Sequence, residues 1–499
     1  MVVQWVALSP HSMKVLDLNL GLGPFCVEFA CSPRVHVGFL PQSKDMQVNF
    51  LSCQAVALAA AFWFRLYLSP QHASAVVRHA IVTLIGVCFL IFCYGWYSVH
   101  IFIMVFACYW IMLKSSIHNI HRYSMIVAMG YLTICQISRV FIFSYGVLST
   151  DFSGPLMIIA QKTTSLAFQL HDGMGRKADD LTAEQRHLAV RSKPSLLEYL
   201  SYHLNFLSVF VGPCSNYKDY MEFIAGRHIQ SKLAESGYSG PEPSPVGAVI
   251  KKLLICAICL FLFMTVTKSF PITYNTDIEF ISQASFLTRL TYSFFSIQAA
   301  RPKFYFAWTL ADAINNAAGY GLRCVDRNGQ ASWDFISNLN IWGIETATSF
   351  KMFIDNWNIQ TALWLKRVCY DRAPRYRTAL TFVLSALWHG VYPGYYFTFL
   401  TAIPITIAAR AVRKNFRQYF LSSPAVKFSY DVVTWLATQL AICYTVMPFL
   451  LLAVEPTMRY YRSMYFHFHI LSVLTAIILP LKSTRPYQAN HSNNNLQGK

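Results

Sequence analysis

Long apolar stretches separated by short polar segments run along the chain from residue 49 onward. A membrane-spanning helix needs about 20 mostly apolar residues, and fewer where neighbouring helices shield it. Because two or so of the stretches are marginal, they predict about eleven spans in an all-α, polytopic membrane protein. The stretches lie at 49–64, 80–95, 96–113, 124–143, 155–170, 196–212, 246–267, 286–300, 304–322, 378–390, 395–409, 430–454 and 464–481.

The composition agrees with a membrane protein of one domain. The chain is 55% hydrophobic and 13% charged, whereas an ordinary soluble domain is roughly 25% charged. We predict one membrane domain at 46–481, because the apolar stretches lie too close together for separate soluble units. Residues 1–45 lack the pattern of a signal peptide and are expected to be a divergent segment prone to disorder. The polar tail 482–499 is expected to be disordered.

The charge is strongly positive, with 41 Lys and Arg against 23 Asp and Glu. Most basic residues lie between the apolar stretches, as in cytosolic loops that face anionic lipid head groups or a phosphate-bearing substrate. The thirteen cysteines are mostly scattered through apolar segments, which is typical of reduced, buried thiols. We expect no metal, no resident cofactor and no nucleic-acid partner.

Two polar residues flank a basic hinge. Asn358 precedes Asp371 by 13 residues, and His389 follows Arg377 by 12 residues. At 1.5 Å per helical residue, each lies roughly 18 to 20 Å from the hinge, so an antiparallel turn brings both to similar depth. A neutral imidazole can accept a hydroxyl proton there while a carboxamide orients the acceptor. A core histidine bonded to a backbone carbonyl is an equally open interpretation.

Other polar residues inside apolar stretches also mark candidate functional interiors. Asp312, Asn315 and Asn316 share one helical face, which either lines a tunnel or bonds neighbouring helices. Arg139, near Gln136, either pairs with a carboxylate or binds a phosphate head group. The residues alone leave both alternatives open.

Four segments together resemble the membrane-bound O-acyltransferase family, specifically its lysophospholipid acyltransferase branch. They are RPKFYFAWTLADAINNAAGYG, SWDFISNLNIWGIETATSFKMF, WNIQTALWLK and SALWHGVYPGYYF, and the resemblance runs from about Val48 to Leu481. The chain is most similar to enzymes that acylate lysophosphatidylserine and lysophosphatidylethanolamine, with close relatives that prefer lysophosphatidylcholine. The resemblance implies a helix bundle in the endoplasmic reticulum membrane. It also implies an internal catalytic tunnel that acyl-CoA enters from the cytosol and lysophospholipid from the bilayer.

The resemblance also implies roles for individual residues. Asn358 and His389 occupy the family's catalytic positions, with His389 as general base. Lys366, Arg367 and Arg372 are candidates for binding the CoA phosphates, or else anchor the loop to the cytosolic side. The residues expected to line the tunnel or bind the acceptor are Trp333, Asp334, Asp312, Asn315, Asn316, Trp388, Gly390 and Tyr395, and Gly394 completes the WHGxxxGY pattern.

Several alternatives remain at this point. A covalent scheme would use Cys369, the cysteine nearest in sequence to the proposed centre. A protein or sterol could be the acceptor, since a shared fold does not fix the acceptor. A transporter could use His389, Asp312 and Arg139 as an ion relay, although no internal repeat supports this. The basic segments 366–377 and 410–417 both favour the cytosol, so the chain between them should enter the membrane and return, turning near 392–394.

Overall fold

The computed structural model describes residues 42–141 and 152–479, and this part of the chain is mostly helical. The first helices are α1 Gln42–Tyr67, α2 Ala75–Tyr94, α3 Val99–Lys114, α4 Ile120–Phe141 and α5 Ser153–Gly175. Next come α6 Ala183–Leu188, α7 Leu196–Leu204, α8 Tyr217–Ile224, α9 His228–Ser236, α10 Val246–Ser269, α11 Ile278–Gln283 and α12 Phe286–Ala317.

A short antiparallel hairpin, β1 Cys324–Val325 and β2 Ala331–Ser332, follows α12. The remaining helices are α13 Ile341–Glu345, α14 Phe350–Asn356, α15 Ile359–Leu365, α16 Arg377–His389, α17 Pro393–Phe416, α18 Pro424–Leu451, α19 Val454–Ser463 and α20 His467–Ile478. One π-helical turn, Lys366–Tyr370, continues α15.

Helix boundaries follow local capping chemistry. Ser195 begins α7 with a capping box, because its hydroxyl accepts from Glu198 N while Glu198 Oε2 accepts from Ser195 N. Gly95 ends α2 with φ of 53°, a conformation that favours glycine. The predicted boundary between the spans 80–95 and 96–113 therefore coincides with a real break, and α3 begins four residues later.

Within the described residues, five helical segments are long and apolar enough to cross a membrane. They are Val48–Tyr67, Ala75–Lys114, Val246–Thr276, Pro393–Phe420 and Pro424–Leu451. These segments support a polytopic membrane protein, as the sequence predicts. The count of about eleven spans stays a prediction, as do the domain limits. Residues 1–41 and the tail 482–499 lie outside the described part.

Two predicted spans, 286–300 and 304–322, form one continuous helix, α12, as far as Ala317. The Arg301 charge within this helix is compensated inside the protein. Its Nη1 lies 3.0 Å from Glu345 Oε2 and its Nη2 donates to Gln439 Oε1 at 3.0 Å. The predicted span 196–212 is likewise helical only to Leu204.

The helices α16 and α17 form a hairpin. Arg410 Nη1, in α17, donates to Thr378 Oγ1 at the start of α16 over 3.4 Å. The two basic segments therefore lie at the same end of the hairpin, and the turn at 390–392 lies at the other end. This arrangement agrees with a segment that enters the membrane and returns. The side of the membrane on which the basic segments lie stays a prediction.

The buried apolar residues form two large clusters. The first joins α1 to α5 with Trp364 and Trp388, and the second joins parts of α12, α17 and α18 with Tyr395. The end of α16 and the start of α17 lie where the two clusters meet. His389 lies at this boundary.

Candidate active site

Helix α5 connects the two motif segments. Gln161 Nε2 donates to Thr361 Oγ1, in α15, at 2.9 Å. One turn earlier, the carbonyl oxygen of Met157 accepts a hydrogen bond from Trp388 Nε1, in α16, at 2.9 Å. Residues four apart share one face of a helix. One face of α5 therefore aligns the start of α15 with the end of α16.

Trp388 is held by further contacts. Gln136 Nε2, in α4, donates to the carbonyl oxygen of Trp388 at 3.2 Å. The ring of Trp364 lies 5.8 Å from the Trp388 ring between centroids, and Trp364 Nε1 donates to Thr164 Oγ1. Gln136, noted in the sequence beside Arg139, thus supports the WHG segment. Arg139 lies in α4, at a position whose side chain falls outside the described part.

Asn358 occupies the turn between α14 and α15. Its φ of 48° and ψ of 52° are left-handed, a conformation that asparagine tolerates better than most residues. The turn is tied to Asn338, whose carbonyl oxygen accepts from Ile359 N at 2.7 Å and whose Oδ1 accepts from Gln360 N at 3.2 Å. These bonds satisfy two amides at the start of α15. The backbone that carries the buried Asn358 is thereby held at a helix end.

His389 is the last residue of α16 and is 8% exposed. Its Nδ1 lies 2.6 Å from the carbonyl oxygen of Ser385, which can only accept. Nδ1 therefore carries the proton, and Nε2 keeps its lone pair and can act as a base. Four aromatic rings surround the imidazole, with centroid distances of 4.6 Å to Trp388, 4.9 Å to Phe399, 5.3 Å to Phe449 and 5.9 Å to Tyr395.

A cavity of about 30 Å³ lies beside Asn358, and His389 is not part of its wall. It has room for about one or two water molecules. Asn358 and Trp388 both line it, and the Trp388 ring stacks edge-on against His389. The amide and the imidazole thus share Trp388 as a neighbour. Other residues of the wall are Gln161, Cys214, Trp308, Asn338 and Thr361.

The internal catalytic tunnel stays a prediction. A cavity of this size holds neither a lysophospholipid nor an acyl chain, so a tunnel through this point would require the side chains around it to move. The aromatic residues near His389 can do so by rotating about their side-chain bonds.

Steric constraints explain why the WHGxxxGY pattern has glycine at its two glycine positions. Gly390 has φ of 143°, which a side chain rarely adopts, and an added Cβ would lie 3.1 Å from the Tyr395 ring. An added Cβ at Gly394 would lie 2.1 Å from the carbonyl oxygen of Pro448. Gly394 N also donates to the carbonyl oxygen of Leu452 at 2.7 Å. These contacts join the hairpin turn to the end of α18.

The polar face of α12 bonds to neighbouring elements. Asp312 Oδ2 lies 2.6 Å from Lys252 Nζ, in α10, and also accepts from Ser337 Oγ. Asn315 Nδ2 donates to the carbonyl oxygen of Leu207 at 3.0 Å, and Asn316 Nδ2 donates to that of Trp333 at 3.1 Å. The pair with Lys252 is an interhelical bond, as in the second alternative, whereas Leu207 and Trp333 lie outside the helices. None of the three residues lines the cavity described above.

Trp333 and Asp334 lie at the β-hairpin. Trp333 is buried in a small separate cluster with Leu322 and Val325. The Asp334 carboxylate is 47% exposed and pairs with Arg323 Nη1 at 3.0 Å. The structure does not bring this pair to the cavity that Asn358 lines. Their role in acceptor binding stays a prediction.

The three basic candidates for CoA binding are paired with acidic residues. Lys366 Nζ and Arg367 Nε lie 2.7 and 2.8 Å from the Glu184 carboxylate. Arg372 forms a bidentate pair with Asp172, at 3.0 and 2.5 Å. Burial alone would raise the pKa of Glu184, but hydrogen bonds from Lys366 and Arg367 outweigh it and hold that pKa below its ordinary value. These residues fasten the polar segment 171–194 to the hinge.

The sequence analysis missed Gln161, Asn338 and Lys162. Gln161 and Lys162 are fully buried inside the predicted span 155–170, where the run QKTTS is as polar as the segments singled out above. Lys162 Nζ donates to the carbonyl oxygen of Tyr202 at 2.8 Å and to Ser208 Oγ at 2.6 Å. The same argument about polar groups in membrane helices could have found Gln161 and Lys162. Asn338 lies outside any predicted span but inside the motif segment SWDFISNLNIWGIETATSFKMF, which was the available signal for it.

Comparisons with known proteins agree with the resemblance. The model of the membrane-bound O-acyltransferase family matches residues 137–450, which include both motif segments. Membrane-bound glycerophospholipid O-acyltransferase 1 of Mus musculus is 60% identical over 91% of this chain and 93% of its own length. Membrane-bound glycerophospholipid O-acyltransferase 2 of Gallus gallus is 55% identical over 89% and 87%. Lysophospholipid acyltransferase 6 of Drosophila melanogaster is 38% identical over 90% and 64%. The chain therefore belongs to the membrane-bound O-acyltransferase family and is an acyltransferase.

Proposed function

We propose that this acyltransferase uses acyl-CoA to acylate the free glycerol hydroxyl of lysophosphatidylserine or lysophosphatidylethanolamine in the endoplasmic reticulum membrane. The observation that carries the proposal is the 60% identity, over nine-tenths of the chain, to a protein named a glycerophospholipid O-acyltransferase. Acyl-CoA supplies the acyl group as a co-substrate, and no resident cofactor takes part.

His389 acts as the general base. Its Nε2 removes the proton of the glycerol hydroxyl while Nδ1–H stays bonded to the Ser385 carbonyl. The hydroxyl oxygen attacks the thioester carbonyl carbon, the carbon–sulfur bond breaks, and the CoA thiolate takes the proton back from the imidazolium. General-base catalysis of this kind contributes about 10² to 10⁴ in rate.

Asn358 orients the reacting groups. Asn358 lines the cavity, and bonds to Asn338 hold the backbone of its turn before substrates arrive. The amide can hydrogen-bond the acceptor hydroxyl or the charge that develops on the thioester oxygen. We assign the CoA phosphates to the hinge around Lys366, Arg367 and Arg372, where phosphate would compete with Glu184 and Asp172.

A covalent intermediate has weaker support. Cys369 is half-buried, and burial raises the pKa of its thiol, which lowers the fraction of nucleophilic thiolate. Cys214 lines the cavity and is a better-placed candidate than Cys369. Direct transfer requires neither cysteine.

Transfer by purified protein in micelles tests the proposal. We would supply labelled oleoyl-CoA with lysophosphatidylserine, lysophosphatidylethanolamine, lysophosphatidylcholine or a sterol, and follow the labelled product. The proposal predicts labelled phospholipid, formed fastest with the serine or ethanolamine head group. Fastest transfer to lysophosphatidylcholine would favour the related alternative of the same branch. A labelled sterol product would show that a sterol is the acceptor. A transporter would form no acylated product at all.

A further inference from the structure

Gln161 brings a further amide to the cavity that Asn358 and Asn338 also line. It lies in the middle of α5, is fully buried, and belongs to the cavity wall. Its Nε2 donates to Thr361 Oγ1. Among the residues that the structure describes, no group donates a hydrogen bond to its Oε1.

A buried amide oxygen without a donor is unfavourable, because folding removes it from water without replacing the hydrogen bond. The arrangement becomes favourable when a donor enters the cavity. The wall offers the amides of Asn358 and Asn338 beside the apolar rings of Trp308 and Trp388, so it suits one small polar group on an apolar body. An alcohol of a lipid has this chemistry.

We infer that Gln161 Oε1 accepts a hydrogen bond from the acceptor lysophospholipid and so positions it for transfer. The inference rests on the proposed function. The bond to Thr361 fixes the Gln161 side chain with its carbonyl oxygen available to the ligand. Gln161 is therefore a positioning residue that acts in acceptor binding, and His389 remains the base.

A purely structural role is the competing explanation, since Gln161 also ties α5 to α15. The variants Q161M and T361V separate the two roles. Both remove the tie, but only Q161M removes the carbonyl oxygen. Gln169 supplies a matched control, because it is a buried glutamine two turns later in α5, its Oε1 also lacks a partner among the described residues, and it is outside the cavity wall.

The experiment measures kcat and KM for purified wild type, Q161M, T361V and Q169M. Lysophosphatidylethanolamine is varied at saturating oleoyl-CoA, and then oleoyl-CoA at saturating lysolipid. For Q161M we expect kcat/KM for the lysolipid to fall by about 10- to 100-fold, with the KM for oleoyl-CoA within about twofold of wild type. Q169M should retain both KM values, and T361V should raise the lysolipid KM less than Q161M does.

Three results would overturn the inference. They are an unchanged KM for the lysolipid in Q161M, a T361V variant that is as impaired as Q161M, and a Q161M defect confined to kcat that follows a lower unfolding temperature. If Q161M does not fold, Q161N gives the same test, because it keeps an amide but withdraws it by one methylene. Wild-type protein that acylates no lysolipid would instead reject the proposed function itself.

Discussion

Two sets of buried polar residues have different surroundings, although each includes an amide oxygen without a hydrogen-bond donor among the described residues, Asn316 Oδ1 and Gln161 Oε1. On α12, Asp312 is compensated by Lys252, while the amides of Asn315 and Asn316 donate to carbonyl groups of neighbouring segments. Around the cavity, the amides lie on a shared wall beside Trp388. The sequence patterns of the two sets look alike, since both place polar residues in apolar helices.

The surroundings of a buried polar residue distinguish a structural role from a functional one. A polar residue bonded between helices mainly stabilises the bundle, so its loss should lower stability. A polar residue on a cavity wall serves a ligand, so its loss should lower activity in a protein that stays folded. Measuring stability and activity on the same variants tests this comparison.

The largest effect is expected at His389. The variant H389Q keeps a polar side chain of similar reach but cannot accept a proton, so turnover should fall by about 10² to 10⁴. Product formation per folded molecule, with unfolding measured in parallel, checks this. Turnover within a factor of ten of wild type would show that another group is the base.

Asn358 should come next, and its backbone needs its own control. Asparagine tolerates the left-handed turn, but alanine does not, so N358A changes both the amide and the backbone. N358G removes the amide and permits the turn. We expect both variants to lose at least about tenfold in kcat. Recovery of wild-type kcat in N358G would mean that the turn, rather than the amide, is what matters.

Asp312 should affect stability instead. The variant D312N leaves Lys252 without a countercharge, so the free energy of unfolding should fall by about 1–3 kcal/mol. The expected loss is below that of a fully buried pair, because the Lys252 side chain is 17% exposed. Thermal unfolding and kcat per folded molecule are the readouts. A kcat as low as that of N358G, at unchanged stability, would support the tunnel-lining role.

Glu184 should have a smaller effect, on the acyl donor. The variant E184Q removes one countercharge from Lys366 and Arg367, while Lys366 keeps Asp371. The KM for acyl-CoA should therefore fall by about two- to fivefold at low salt and return toward wild type at high salt. A KM that does not change at either salt concentration would argue against phosphate binding at the hinge.

The same ion pairs predict a pH range for the hinge. The pKa of Glu184 is lowered, so its contribution is present above its unfolded pKa and is lost as pH falls through the lower, folded value. For Lys366, burial lowers the pKa, but the hydrogen bonds that Lys366 donates to Asp371 and Glu184 outweigh it and raise that pKa overall. Its contribution is present below the unfolded pKa and is lost as pH rises through the folded one. The difference in the free energy of unfolding between wild type and E184Q should therefore be constant between about pH 5 and 10.

The smallest effect is expected at the cysteines. C214S and C369S should each keep turnover within about threefold of wild type, because direct transfer uses no thiol. The assay for H389Q serves here too. Loss of turnover in C214S as large as in H389Q, at unchanged stability, would favour an acyl-enzyme.

The hydrophobic pattern predicted many of the helices. It did not predict which neighbouring stretches form one continuous helix. The break at Gly95 and the hairpin after Arg377 follow from local sequence. The uninterrupted α12 does not, because its Arg301 is compensated by Glu345 and Gln439, which lie far away in the sequence. A charged residue in an apolar stretch can remain inside a helix when a residue far away in the sequence compensates its charge.

The candidate site shows the same limit. Helical spacing around the hinge, together with the resemblance, suggested Asn358 and His389. It could not identify the face of α5 that aligns them, because hydrogen bonds such as that of Gln161 to Thr361 join residues 200 positions apart. Nor could it separate the α12 amides from those at the cavity, since that depends on which neighbours each side chain meets.

The most direct test is the position of the acceptor in a complex with a lysophospholipid and a non-transferable acyl-CoA analogue. The measured quantity is the distance from the acceptor hydroxyl oxygen to His389 Nε2. We predict about 2.6 to 3.2 Å, with the amide of Asn358 on the same ligand. A hydroxyl bound elsewhere in the bundle, with the aromatic rings still closed around the imidazole, would contradict the account.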